Sequence, residues 1–408
     1  MHNTDGNSSK ALKSTQSFMY SRVSVAITCF FVMAACISKP DINIPGHIAS
    51  LENLIVIPVE ADPLHDIDLH RVAVYSDTEN VLIGQLGMSA VDENGRVYLI
   101  DTAQNVIHVY EPNGNYLTKI GGEGDGPGEF RQIREVKTEG NQLHVLDLSN
   151  MRISTFDLNN LQFEGDITIP FEFDFSGGYS SFPQSFYIQD SEHFIIHFGV
   201  SLSPGETNGD EPTVIGRLMN RESAELSDSK IYEFPAGEVL IRREGSNMYM
   251  MVVDYKRQPK IFFTGQHLIY GWTEDLLFKV YNRDGSYSHA IYYPENKIIL
   301  NRNDVVRNYS DRDEPWRSMV RNDVMPEYWP AFSNALADGD GRIWASLFDE
   351  NNEIWNWRVL TQKGELFAAF EWPRDKQIIE ISNGYIYTRE TNDETGLMEI
   401  VKYKIELQ

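Results

Sequence analysis

Three observations predict that this chain folds as an all-β ring of six similar sheets, a six-bladed β-propeller. The first is a strand–turn pattern that recurs six times between residues 90 and 407. The second is composition: the chain of 408 residues contains 20 Tyr, 21 Phe, 7 Trp and 29 Gly, and such a mixture is typical of strands joined by tight turns. The third is that many strands are apolar on both faces, as expected for sheets packed between two neighbours.

The repeats are found by aligning the first apolar residue after each initial turn. These anchor residues are Val97, Leu143, Phe194, Leu268, Ile343 and Ile386. Three of the five spacings are close to the roughly 40–50 residues of one four-stranded blade, and the two longer spacings predict insertions. We expect the insertions at residues 202–259 and 295–331. The second is partly helical, with Asp313 as a candidate cap and Pro315 in the first turn.

Short turn signals separate the predicted strands. They are the pairs Asn94-Gly95, Asn113-Gly114, Asp284-Gly285 and Asp340-Gly341. Glycine after Asn or Asp favours hairpin turns, because such turns need positive φ angles. The segment DGDG at 338–341 also resembles the start of a calcium loop, but the downstream glycine and glutamate of that loop are missing. The hairpin turn is therefore the favoured interpretation.

The most motif-like segment is GGEGDGPGEF, residues 121–130. A Walker-type phosphate loop needs Lys-Ser or Lys-Thr after the glycines, and here Phe130 and Arg131 follow. A dinucleotide-binding loop needs a helix, whereas another strand follows here. Three acidic residues would also repel an anion. The segment is therefore predicted to be a structural connection between two blades.

The same region carries a resemblance to a known repeat. In GEGDGPGEFRQIREVKTEGNQLHVLDLSNMRISTFD, the segments GPGEF, LHVLD and MRISTFD match the G-P-G-x-F, L-Y-V-x-D and R-I-x-x-F-D segments of NHL repeats. Residues 51–408 resemble the six-bladed, NHL-type propeller lipoproteins that bacteria secrete. The resemblance implies that the Gly-rich stretch links the outer strand of one blade to the inner strand of the next. Some six-bladed propellers are metal-dependent lactonases or lyases, whose ligands come from separate blades.

The N-terminus has the features of a secretion signal. An apolar run at residues 23–33 follows Arg22, and Ala34 and Ala35 precede Cys36. The run is too short to span a bilayer, and this order of features is typical of a signal peptide. The cysteine after two small residues resembles a bacterial lipobox, which implies cleavage before Cys36 and lipidation of this residue.

This interpretation divides the chain into three parts. We expect a signal peptide at 1–35, a lipid-anchored tether at 36–50 and the propeller at 51–408. The protein would then be anchored by lipid in the cell envelope, at the periplasmic side of the outer membrane or at the cell surface. An ordinary signal peptide and a buried apolar strand are the alternatives, and the start codon encodes either Met1 or Met19.

The composition and the missing motifs argue against several classes of function. The formal net charge of −25 repels phosphate backbones, so a nucleic-acid partner is not expected. The only cysteines are Cys29 and Cys36, so the folded body can hold no cysteine-based metal site. His193 and His197 lie about 13 Å apart along one strand, too far to share a metal. The nucleophile elbow G-x-S-x-G is absent.

The remaining expectation is a binding or interaction module for a protein or a carbohydrate. The candidate ligand-binding residues at the mouth of the central channel are Arg242, Arg243, Trp316, Tyr328 and Trp329. Arginine offers paired hydrogen bonds and aromatic rings offer stacking surfaces, which suits a carboxylated or sugar-like ligand. A packing role for the aromatic residues is the alternative. A metal-dependent hydrolase or lyase is the alternative function, and the sequence assigns neither a metal nor a cofactor.

Ring closure is expected from an N-terminal strand. Propellers remove two open sheet edges by placing such a strand in the last blade. The apolar segment NLIVIPV at 53–59 is the predicted partner of residues 398–407.

The predicted lipid anchor is testable by substitution. Cys36→Ala removes the thiol that would carry the lipid, so the protein should move from the membrane fraction to the soluble fraction. Cys29→Ala is the matched control, because that residue lies in the segment that would be removed, and it should leave fractionation unchanged. Membrane retention of the Cys36→Ala protein would contradict lipidation at this position.

Overall fold

The computed structural model describes residues 44–78, 81–171, 179–202, 212–245 and 247–408. Six sheets of four or five strands and one separate hairpin account for the strands in these ranges, which confirms the all-β, six-bladed propeller. The predicted signal peptide and Cys36 lie outside the described residues. Among the residues that are described, no helix is long and apolar enough to cross a membrane.

The strands follow the chain from blade to blade. Two strands precede the first blade: β1 (Leu54–Val56) and β2 (Ile67–Tyr75). Blade 1 contains β3 (Leu86–Val91), β4 (Val97–Asp101), β5 (Val106–Tyr110) and β6 (Tyr116–Gly121). Blade 2 contains β7 (Ile133–Glu139), β8 (Gln142–Asp147), β9 (Arg152–Asp157) and β10 (Gln162–Thr168). Blade 3 contains β11 (Tyr179–Ile188), β12 (His193–Leu202), β13 (Thr213–Asn220) and β14 (Leu226–Pro235).

A hairpin of β15 (Leu240–Glu244) and β16 (Asn247–Met251) follows blade 3. Blade 4 contains β17 (Pro259–Phe263), β18 (His267–Trp272), β19 (Leu277–Asn282) and β20 (Tyr287–Tyr292). Blade 5 contains β21 (Asn334–Ala337), β22 (Ile343–Leu347), β23 (Ile354–Leu360) and β24 (Leu366–Pro373). Blade 6 contains β25 (Gln377–Ser382), β26 (Tyr385–Thr391) and β27 (Met398–Leu407). The helices are α1 (Gly46–Ala49), α2 (Arg302–Asn308) and α3 (Trp316–Asn322).

The six anchor residues all lie in the second strand of a blade, and each is at most 2% exposed. Their strands are apolar on both faces because alternate residues enter different interblade clusters. In β4, Val97 and Leu99 pack toward blade 6, whereas Tyr98 and Ile100 pack toward blade 2. Each pair of neighbouring blades shares one such cluster. The two-sided hydrophobic pattern was thus a correct indication of a ring.

The predicted turns form, with one difference in their geometry. Glycines 95, 114, 285 and 341 all have positive φ, but the preceding Asn or Asp does not. In blades 1 and 5 the turn is closed by the aspartate that begins it. Asp338 accepts hydrogen bonds from the backbone of Asp340 and Arg342 and from the indole of Trp344. Asp92 makes the equivalent bonds in blade 1. DGDG is therefore a hairpin turn with three loop residues, ending in a glycine bulge.

The aspartate of the LHVLD segment, Asp147, is hydrogen-bonded to the backbone of two connections in its blade. Asp147 is fully buried and accepts backbone hydrogen bonds from Arg131 and Gln132, which lead into the inner strand, and from the following turn. Asp101 does the same in blade 1. Burial alone would raise the pKa of Asp101, but its backbone N–H partners outweigh burial and hold that pKa below its usual range.

The Gly-rich stretch joins the outer strand of blade 1 to the inner strand of blade 2, as predicted. Phe130 is fully buried, and its backbone N–H bonds to Gly122 at 2.7 Å. Gly121 has a φ of +82°, and a Cβ there would lie 2.4 Å from the Phe130 ring. Only glycine allows the chain to reverse this close to the ring.

Ring closure uses a different N-terminal strand from the one expected. β2 pairs antiparallel with β27 and becomes the outer strand of blade 6. The expected segment, 53–59, supplies β1, which instead adds to blade 4 parallel to β20. The compact unit begins at Ile44, and Ile48 of α1 is fully buried. The N-terminal segment thus spans blade 4, bonds to blade 5 at His65 and reaches blade 6 with β2.

The first insertion is shorter than expected, whereas the second, at 293–333, is slightly longer than the expected 295–331. Residues 213–235 are the third and fourth strands of blade 3, so the first insertion is reduced to 236–258. This insertion contains the hairpin of β15 and β16, and the second insertion contains the expected helical structure as α2 and α3. Asp313 does not cap α3 with its side chain. Instead the Glu314 carboxylate accepts the backbone N–H of Ser318.

Closure by β2 predicts a specific deletion phenotype. Removing residues 67–75 exposes the edge of β27 and one side of the cluster between blades 6 and 1, so the protein should aggregate during size-exclusion chromatography. Removing residues 54–56 deletes only the fifth strand of blade 4, so this control should remain monomeric with a lower melting temperature. A monomeric 67–75 deletion with an unchanged melting temperature would contradict closure by β2.

Candidate functional site

Nearly all of the structure outside the four-stranded blades lies on one face of the ring. Because the strands of a blade alternate in direction, outer-to-inner connections and the turns between second and third strands emerge on the same face. The two insertions, 236–258 and 293–333, are outer-to-inner connections, and residues 348–353 form a second-to-third turn in blade 5. We call these three segments the cap.

The cap has its own apolar core. The buried members of this core come from all three segments: Leu240, Val253, Tyr255, Leu300, Val305, Met319, Val320, Trp329 and Phe348. Trp329 stacks on Phe348 with ring centroids 4.6 Å apart. The two insertions therefore pack as one body on a single face of the ring.

Arg242 and Trp316 come close together in this cap. Arg242 lies opposite Tyr249 in the hairpin, and Trp316 meets the Tyr249 ring edge-on at 5.6 Å. The Arg242 guanidinium donates to Ser318 of α3 and pairs with Glu244. It borders a cleft of about 890 Å³ whose other charged groups include acidic and basic side chains of both insertions. The Arg242 charge is thus already compensated by Glu244.

The other three candidate residues lie elsewhere. Trp329 is 7% exposed and belongs to the cap core, where the packing alternative describes it better than stacking on a ligand. Tyr328 is 40% exposed and borders a separate cavity of about 430 Å³. Arg243 pairs with Met248 on the outer face of the hairpin, opposite to the face that bears Arg242. The five residues therefore do not line one cavity.

A further cavity, of about 380 Å³, lies between blades 3 and 4 beside the hairpin, whose Met250 lines it. His197 lines it, with its Nδ1 2.8 Å from the hydroxyl of Tyr232. Burial lowers the pKa of His197 to about 4, so the ring is neutral at pH 7. The spacing of this histidine from His193 excluded a shared metal, and nothing in that spacing indicates that a cavity adjoins it. His193, four residues earlier, bonds to Asp190 instead.

The opposite mouth of the central channel is lined by residues of all six blades. Lys137 pairs there with the buried Glu135 at 2.7 Å and lies over the Tyr187 ring. Glu380 faces the same space from blade 6. Burial raises the pKa of Glu380 to about 7, and the Lys137 charge only partly offsets this. Glu380 could not be identified from the sequence, because its partners come from distant blades.

The lactonase-like alternative requires a set of metal ligands. Among the described residues, no group of three or more His, Cys, Asp or Glu side chains is arranged to hold a metal ion. The lactonase-like alternative therefore has no candidate ligand set in that part of the chain.

Comparisons with known proteins agree with this architecture. Residues 76–194 match a family model described as DUF5128, a 6-bladed beta-propeller. A member of the DUF4221 family from Bacteroides vulgatus is 14% identical, with a TM-score of 0.53 over 84% of this chain and 99% of that protein. A protein from Bacteroides fragilis whose name suggests export is 11% identical, with a TM-score of 0.48 over 86% and 99%. A search of curated proteins finds no match. At these identities, the similarity concerns the fold alone.

The raised pKa of Glu380 predicts a pH-dependent stability. In the unfolded chain this carboxyl ionises near its ordinary pKa of 4.5, whereas in the folded protein it retains its proton up to about pH 7. Its contribution to folding is therefore full below pH 4.5 and is lost as the pH rises from 4.5 to 7. Glu380→Gln should stabilise the protein at pH 8 by about 1–3 kcal/mol, and hardly at all at pH 4.5.

Thermal unfolding at both pH values measures this effect. The exposed Glu371, on the outer strand of blade 5, offers a matched control, and Glu371→Gln should change the melting temperature equally little at both. If the two variants respond identically to pH, the pKa of Glu380 is not raised in the folded protein.

Proposed function

We propose that this protein is a lipid-anchored cell-envelope protein whose propeller acts as a binding module, with its ligand bound at the capped face. The anchor is supported by the lipobox-like sequence before Cys36. An NHL-type origin of the repeats is supported by Asp101 and Asp147, which make the same backbone bonds at the aspartate position of the L-Y-V-x-D segment.

The observation that carries the binding proposal is the cap itself. Its three segments are three different connections between strands of the ring, yet they share one apolar core. Surface loops held rigidly by a scaffold commonly carry binding sites, because their side chains need not be ordered again when a ligand arrives. Three cavities or clefts, of about 380, 430 and 890 Å³, open among these segments and the adjoining blades.

The outer face of the hairpin adds exposed apolar surface to this region. Ile241 pairs with Met250 across the hairpin, and these side chains are 47% and 41% exposed. Val252, just after the hairpin, is 63% exposed. Contiguous exposed apolar side chains beside a cavity are typical of a binding surface. Methionine suits such a surface because its flexible side chain adapts to the bound molecule.

Hydrogen–deuterium exchange tests where ligands bind. The full chain, purified in detergent, is compared with and without two probes from the envelope of the producing cells: the polysaccharide fraction and the soluble protein fraction. At least one probe should slow exchange in residues 236–258 and 293–333. Exchange in the turns 92–96 and 338–342, on the opposite face, should not change. Protection of neither face, or of the opposite face alone, would refute the proposal.

Two substitutions of equally exposed apolar residues provide the matched comparison. Met250, in the hairpin, is 41% exposed and Leu117, on the outer strand of blade 1, is 43% exposed. Met250→Gln should reduce the protection given by the active probe, whereas Leu117→Gln should not. Equal protection in both variants would mean that the outer face of the hairpin takes no part in binding.

A further inference from the structure

The 380 Å³ cavity between blades 3 and 4 differs from the other cavities because none of the described residues that line it is charged. Charged residues make up 23% of the sequence. The described residues around the cavity are nevertheless neutral, and the polar ones are Gln184, Tyr187, His197 and Gln258. The cavity therefore combines apolar walls with two amides, an imidazole and a tyrosine. Its volume lies within the roughly 300–1,000 Å³ of small-ligand sites.

Glycines hold the polar groups of this cavity in place. The Gln184 amide lies flat against Gly199, so close that a Cβ there would be 2.1 Å from the amide carbon. The Gln258 amide lies against Gly237 in the same way, with 2.0 Å from such a Cβ to Oε1. In both pairs the neighbouring backbone makes room for the amide only because it bears no side chain.

The imidazole of the cavity is held by a third pair of this kind. The Tyr232 ring occupies the space over Gly216, where a Cβ would be 2.1 Å from the ring, and its hydroxyl bonds to His197 Nδ1. Tyr232 thereby fixes the orientation of the imidazole. Two amides and an imidazole, contributed by two strands and an insertion, are thus positioned independently of any ligand.

Several hydrogen-bonding atoms of these groups have no partner in the described part of the chain. The Gln184 side chain makes no hydrogen bond there, although it lies at a β-bulge of the inner strand β11. Gln258 uses Nε2 to bond to the backbone of Glu238, which leaves Oε1 as an acceptor. His197 uses Nδ1 for Tyr232, which leaves Nε2. These atoms can donate to and accept from a ligand without either partner carrying a charge.

We propose that this cavity binds a neutral carbohydrate unit through Gln184, His197 and Gln258, with its apolar walls contacting the sugar ring. A hydroxyl both donates and accepts hydrogen bonds, as an amide pair and a neutral imidazole do. A carboxylated or phosphorylated ligand would be desolvated here without a countercharge, which is costly. This inference rests on the proposed function in one respect: it names the class of ligand bound at the capped face.

Titration calorimetry with defined oligosaccharides tests the proposal on the full chain in detergent. The neutral probes are maltotriose, cellotriose, mannotriose and triacetylchitotriose, and the charged counterpart is trigalacturonic acid. At least one neutral probe should bind, and trigalacturonic acid should not. Failure of all four neutral probes, or equal binding of the charged one, would overturn the proposal.

Two variants locate the binding. Gly199→Ala pushes the Gln184 amide out of its position, and because that amide ends a flexible side chain, the fold should tolerate the change. The affinity should fall about tenfold, as expected when a positioned polar partner is lost. The control is Gly265→Ala on the opposite face, where a Cβ would meet no atom within 4 Å; it should bind like the original protein. If Gly199→Ala fails to fold, Gln184→Leu provides the same comparison.

Unchanged affinity in the cavity variant that folds would place the sugar elsewhere and overturn the inference. This failure is distinguishable from failure of the proposed function. If an envelope fraction protects the cap in the exchange experiment but no neutral trisaccharide binds, only the carbohydrate inference falls. If a protein fraction alone gives protection, the ligand is a protein, and the carbohydrate inference falls as well.

Discussion

The pairing of β2, which follows the N-terminal segment, with β27, the last strand, closes the ring of six blades, and the rest of the structure depends on it. Each blade is apolar on both faces, so each needs a neighbour on both sides. A row of six such sheets would leave two apolar faces in water, and closure of the ring removes them. Tyr75 of β2 illustrates the coupling, because it is fully buried in the cluster between blades 6 and 1 and bonds to the backbone of Pro112.

A closed ring also explains how function can be added without disturbing the fold. The interblade clusters use residues within the strands, whereas the cap is built from connections between them. The cap packs through its own apolar core, so its outer surface is not needed to stabilise the fold. The Arg242 charge is balanced within the cap, whereas the described residues that line the cavity beside the hairpin are neutral. The two regions therefore suit different ligands, and the neutral one has its polar groups already in position.

Local pattern predicted the fold well and the site poorly. Anchor residues such as Val97 and Leu143 were recognisable because strand periodicity and turn glycines are encoded within a few residues. The prediction that residues 53–59 close the ring was wrong, since the sequence does not identify the sheet edge that an N-terminal strand meets. Blade 3 was also misjudged, because its third and fourth strands follow a long polar segment and were taken for an insertion.

The site residues illustrate the same limit. Arg242 and Trp316 were both predicted at the channel mouth, and they lie close together because consecutive outer-to-inner connections share a face. Gln184, His197 and Gln258 were not linked by the sequence, because they belong to an inner strand, a second strand and an insertion. Their common signal is a glycine opposite each polar side chain, or opposite the tyrosine that holds it, and it becomes visible only in three dimensions.

Photo-crosslinking in living cells tests most directly the claim that the capped face is the binding face. A benzoylphenylalanine at Val252, 63% exposed beside the hairpin, is compared with one at Leu64, 56% exposed at the opposite face. We expect a discrete adduct from position 252 and none from position 64. An adduct from position 64 alone, or the same adducts from both positions, would contradict it.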